Sequence, residues 1–236
     1  MNGENIQVVE QEIDLGVELK NDLKWVAQCM KAAKKGNQIL WLIYRTFECR
    51  SKKRIMQLYK SLVRPHLDYC IQGWRPHLQK GIDVLERVHK RATRMIEGLK
   101  DWNYEERLRR IHLTTLETRR IRADLLELYK IFHGLEGLRV EDYFDTSHVS
   151  NTRGHGFKIY KNSFRTNLRK YSFGNRVIAD WNSLPAEIVN ADNILKFKNL
   201  LDHHLEQVRG LTWAICFFPC NTAFVFLASS AATSNQ

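Results

Sequence analysis

"QKGIDVLERVHKRATRMIE", residues 79–97, has two chemically opposite sides. At about 100° per residue, Val84, Leu85, Val88, Ala92, Met95 and Ile96 gather on one side of a helix. Arg87, Lys90, Arg91 and Arg94 fall on the other, within an arc of roughly 100°. A helix of this kind gains most of its stability by burying the apolar side against other elements. Its neighbours therefore decide the fold class, and they read as helices too.

On the N-terminal side, Leu23, Val26, Met30, Ala33, Asn37, Leu40, Tyr44 and Phe47 step by three and four. This spacing predicts a helix over 22–47, capped by Asn21 or Asp22, with Asn37 as a polar member satisfied in the core. A second helix runs from about Ser51 through Val63, and Pro65 should kink or end it. On the C-terminal side a short helix is expected near 104–111. Another starts at "TTLE", where Thr114 and Glu117 have capping-box spacing, and stops at Gly134. Residues 1–20 alternate weakly and read as one terminal strand.

Between about 135 and 156 the pattern dissolves into Gly, Ser, Thr, Asn and His, a linker or ordered loop. "FKIYKNSFRTNLRKYSF", residues 157–173, then alternates around Asn162-Ser163, which predicts a basic β-hairpin or two extended segments. Lys158, Lys161, Arg165, Arg169 and Lys170 are its cations, interleaved with Tyr160, Phe164 and Tyr171. A helix carrying Phe173, Arg176, Val177 and Trp181 follows and breaks at Pro185. A short helix comes next, then an amphipathic one with Ile194, Phe197, Leu201 and Leu205. The expected fold is mainly α: a helical bundle over 21–134, then a small α+β subdomain over 157–209. Residues 210–236 contain no charged side chain. The stretch Leu211 to Ala228 is nearly long enough to cross a bilayer, but Pro219 and Asn221 interrupt its middle. An appended segment is the expectation, in preference to a tail anchor.

The 236 residues are 44% hydrophobic and 27% charged, a globular composition. A net charge of +11 favours polyanions, nucleic acid first and an acidic membrane surface second. Cations on the 79–97 helix and on the 157–171 segment suit a phosphate backbone, and the adjoining aromatics suit either bases or the hairpin's buried face. The five cysteines are unevenly spaced, and neither a signal-peptide pattern nor a glycosylation sequon is present. Free thiols in an intracellular, reducing compartment, nuclear or cytoplasmic, are expected.

Residue types that carry reactions are sparse. Cys70 and His77 lack the partners that would complete a zinc site. "RGHG", residues 153–156, lacks phosphate-loop spacing, and His203-His204 point apart on a helix. No nucleophile elbow and no aspartate pair suited to two magnesium ions occurs. No cofactor, metal or small-molecule substrate is expected.

An ordered series of stretches resembles the C-terminal part of a non-LTR (LINE, jockey-like) retrotransposon reverse transcriptase. The series is "IDLGVELKNDLKW", "KAAKKGNQIL", "LYKSLVRPHLDYC", "LERVHKRATRMI", "YEERLRRIHLTTLETRRIRADLLELYKI", "TRGH", "KYSFGNRVIADWNSLPAEIVNA" and "FKNLLDHHL", spanning roughly residues 13–208. "F-x-x-R-V-x-x-x-W-N-x-L-P", from Phe173 to Pro185, is a landmark of those segments. The resemblance implies a residual palm-edge strand, a thumb-like helical domain and post-thumb segments that hold an RNA template and its DNA product. The family's F/Y-x-D-D carboxylate box does not occur in this sequence. The expectation is thus a catalytically incomplete fragment, not an RNA-directed DNA polymerase in itself. It would bind nucleic acid without strong sequence preference, and Phe173, Arg176, Trp181 and Pro185 would be structural. The alternatives are a degraded element copy without selected function, a component acting beside a separate catalytic chain, and a tail-anchored protein.

Overall fold

A short hairpin opens the described part of the chain. In the computed structural model, which describes residues 9–146 and 154–209, strand β1 (Gln11–Asp14) pairs antiparallel with β2 (Val17–Lys20), Gln11 opposite Lys20. Leu15 and Gly16 join them with φ of 45° and 81°, the paired positive values of a two-residue hairpin turn. The single strand expected over 1–20 is thus two strands. Leucine hides the turn, because Asn or Asp is the usual residue at that position.

The chain divides into two compact units, 1–97 and 98–236. In the first, α1 (Val26–Thr46) lies against α5 (Gln79–Arg94). Two glycines set the approach. A β-carbon on Gly36 would stand 3.1 Å from Val88 Cγ1, and one on Gly81 would stand 3.1 Å from Cys29 Sγ. Both contacts advance in the same direction along both helices, so α1 and α5 run parallel. The buried side of α1 is Gln28, Cys29, Ala32, Ala33, Gly36, Leu40 and Ile43. It shares only Ala33 and Leu40 with the expected stripe, and Met30 and Tyr44 are exposed. The expected cap is displaced as well. The helix starts at Val26, and the Asp22 carboxylate accepts from the Lys24 N–H in the preceding turn, which holds Asp22 below the usual carboxylate range.

Helix α2 (Lys52–Leu58) passes through a π-turn at Tyr59–Val63 into α3 (Arg64–Asp68). The Arg64 N–H donates to the Tyr59 carbonyl five residues back. A proline has no N–H and crowds the carbonyl four residues before it. Widening the preceding turn relieves both problems, so the helical path continues beyond Pro65 to Asp68. Cys70, at φ 52°, turns the chain into α4 (Ile71–Trp74). Tyr59, Val63, Leu67, Trp74, Leu85 and Val88 are all buried.

The second unit contains α6 (Tyr104–Ile111), α7 (Leu116–Phe132), α8 (Asn167–Tyr171), α9 (Phe173–Asn182), α10 (Ala186–Val189) and α11 (Ile194–Arg209). The cap of α7 is Thr115, accepting from the Thr118 N–H, one residue later than the spacing of Thr114 and Glu117 suggested. Its end agrees with expectation. Gly134, at φ 64°, lets its own N–H reach the Ile131 carbonyl and the Leu135 N–H reach Lys130, a Schellman closure. Helix α7 packs with α9 and α11. Leu125, Leu128, Tyr129, Val177, Trp181, Phe197 and Leu201 form the centre of this unit's core.

The basic β-hairpin is not formed. Residues 157–164 form no strand, and 167–171 are helical. The groups that a ladder would use are taken up elsewhere. Asn182 accepts from the Ile159 N–H at 3.0 Å and donates to the Ile159 carbonyl at 2.8 Å. The Tyr160 N–H donates to the Asp145 carbonyl at 2.8 Å. The molecule is mainly helical, with one two-stranded sheet among the described residues. No helix among them is long and apolar enough to cross a membrane; residues 210–236, including the expected appendage, lie outside them.

Candidate nucleic-acid interface

Helix α5 divides as its sequence demands. Leu85, Val88, Ala92 and Ile96 are buried, while Arg87, Lys90, Arg91 and Arg94 are exposed. Arg87 donates back to the Asp83 carbonyl at 3.3 Å. Arg91 reaches across to α1 and donates to the Asn37 side-chain oxygen at 2.7 Å. Asn37 is accordingly half-buried at the edge of the helix pair, holding a cation, and not enclosed in the core.

The landmark from Phe173 to Pro185 is built into packing. Arg176 Nε and Nη2 donate to the two oxygens of Asp124 on α7, each at 2.9 Å, and Nη1 donates to the Tyr171 carbonyl. Trp181 is fully buried, stacks on Phe132 with ring centres 5.2 Å apart, and donates its indole N–H to the Phe157 carbonyl. Phe173 meets Phe144 edge-on, and Pro185 precedes the first turn of α10. His155 belongs to the same cluster. It is buried, and its Nε2 lies 3.1 Å from the Trp181 carbonyl. That contact places the proton on Nε2. Nδ1 is buried with no hydrogen-bond partner, and burial pushes the imidazole below its ordinary value.

The cations of 157–171 do not share one scaffold. Lys158 is half-buried and Lys161 exposed on the segment before α8; Arg165, Arg169 and Lys170 are exposed near and on α8. Lys170 Nζ sits 5.3 Å from the centre of the Tyr171 ring. Cys70 and His77 belong to no group of metal-ligating side chains among the described residues. Burial raises the Cys70 thiol and lowers the His77 imidazole.

Comparison with protein-family models, curated proteins and solved structures returned no significant match.

Helix α1 presents basic groups that the wheel of α5 gave no reason to seek. A concavity of about 320 Å³ lies between α1, α3 and the hairpin turn, bordered by Lys31, Lys34, Lys35, Gln38, His66 and Tyr69. The hairpin is tied over it by three contacts. Lys31 Nζ donates to the Gly16 carbonyl, the Tyr69 hydroxyl to the Leu15 carbonyl, and the Glu18 N–H to the Gln28 side chain. Lys34 and Gln38 also border a broader, more open hollow with Asn37, Trp41 and Leu42. Trp41 is 58% exposed, with the Arg45 guanidinium 4.7 Å from its ring centre. The signal was available in "KAAKK", residues 31–35, and in a tryptophan lying off the apolar stripe.

Proposed function

We propose that this chain is a thumb-like and post-thumb segment of the non-LTR (LINE, jockey-like) reverse transcriptase kind, holding RNA and DNA by backbone contacts without sequence preference. The ordered series of motifs supports the lineage. The observation that carries the binding is the solvent-facing row Arg87, Lys90, Arg91 and Arg94 on a helix whose other side is buried. Such a row neutralises phosphates and releases their counterions, a term indifferent to sequence. Arg165, Arg169 and Lys170 supply a second basic region in the other unit. The family's carboxylate box is not in this sequence, so RNA-directed DNA polymerase activity is not part of the proposal.

The test is glutamine at all four α5 positions. Affinity for RNA, DNA and hybrid duplexes is expected to fall together, with helical circular dichroism preserved. Log affinity against log salt should become shallower by roughly 3 to 4, at about 0.9 per phosphate contact on a duplex. An unchanged slope would show that this face is only solvated. The unaltered chain should not extend a primer on an RNA template with magnesium and deoxynucleotides. Chelator-sensitive, template-dependent incorporation would overturn that part of the reading.

A further inference from the structure

We infer that the outer face of α1 is a single-strand site, with a phosphate seated among Lys31, Lys34 and Lys35 and a base stacked on Trp41. This rests on the reading of the chain as a nucleic-acid binder and adds a preference for strand form.

Charge is the first argument. The concavity at Lys31, Lys34, Lys35 and His66 has no acidic side chain on its border. Its lysines are held near one another by the helix spacing, and Lys31 is fixed further by the Gly16 carbonyl. Continuity is the second. Lys34 and Gln38 border both this concavity and the hollow that contains Trp41, so the two form one track along the helix. Seven residues separate Lys34 from Trp41, about 10 Å of helix rise. The aromatic is the third. Trp41 is 58% exposed, and a large apolar ring in water is suited to a base, whose faces are free only when the strand is unpaired. In a duplex the bases are stacked on each other, and such a ring finds only backbone. The track ends beside the α5 row, because Asn37, on the border of the hollow, accepts from Arg91.

The experiment uses the full chain and follows anisotropy of a labelled oligothymidylate and of a duplex with the same number of phosphates. Trp41→Ala should weaken the single strand by roughly five- to a hundredfold, the range that loss of one stacked base produces, and leave the duplex within about twofold. Trp41→Phe should restore most of the loss. Lys34→Gln with Lys35→Gln should flatten the single-strand salt dependence by up to about 0.7, the value for one phosphate. Equal weakening of strand and duplex by Trp41→Ala, or no weakening, overturns the single-strand site. If the α5 glutamine variant loses affinity while Trp41→Ala is silent, only this inference falls. A chain that binds no nucleic acid of any form removes this inference and the proposed function together.

Discussion

Arg176 shows how little of a charged residue's role is visible in its charge. Its guanidinium is aimed inward and closes on both oxygens of Asp124, whose side chain is almost fully buried. Breaking such a pair leaves an uncompensated charge, at a cost of about 3–5 kcal/mol. Asp124→Ala should therefore destabilise far more than Asp124→Ala combined with Arg176→Met, as measured by urea unfolding. Equal losses would show that the pair is incidental. His155 makes a pH-dependent claim. Its folded-state pKa is lowered by burial, so the unfolded chain takes up a proton near pH 6.5 while the folded chain resists it. Stability contributed by the neutral ring is complete above pH 6.5 and declines as pH falls toward the lowered value. Stability measured from pH 7.5 to 5.5 should fall less in His155→Gln than in the parent. The sequence marks Phe173, Arg176, Trp181 and Pro185 as expected structural residues. It did not show their partners, because Asp124 lies 52 residues from Arg176 and no local pattern joins them.

At the scale of elements, strongly two-sided helices were legible and weakly sided ones were not. Helix α5 has long apolar and long cationic residues, so its orientation is overdetermined. Helix α1 buries Cys29, Ala32 and Gly36, residues too small to weigh against Met30 or Tyr44 in any periodicity. Their smallness is what packing requires, since α5 comes close at Gly36 and Gly81. Gly36→Leu should consequently destabilise by about 1–3 kcal/mol through overpacking, and adding Val88→Ala should return part of that loss in chemical denaturation. A neutral Gly36→Leu would mean that the two helices do not approach so closely in solution. The segment 157–171 misled for a different reason. Its sequence alternates, but periodicity cannot say whether a strand or an asparagine side chain satisfies the backbone.

For the molecule as a whole, the sequence conveyed the mainly helical class but not the grouping of helices. The apparent loop after Gly134 marks the end of α7, whereas the division falls at Glu97/Gly98, where a short turn offers no composition change. Each unit has its own buried residues, the second around Trp181 and Phe197. Expressed separately, residues 9–97 and 98–209 should each show helical circular dichroism and a cooperative thermal transition. Fragments that melt only when mixed would show that neither core suffices alone.

The π-turn at Tyr59–Val63 has a consequence for length. Its closure spans one residue more than an α-turn, so it absorbs one extra residue within an otherwise continuous rod. Deleting exposed Leu62 would restore regular winding with the phase beyond it nearly unchanged, at the cost of pressing Pro65 onto an ordinary turn. A deletion in the regular turns on either side has no such slack and would rotate everything beyond it by about 100°. Single-residue deletions scanned from 52 to 68 should therefore be tolerated best between Tyr59 and Val63, and a minimum of tolerance there would show that relief of Pro65 outweighs the phase.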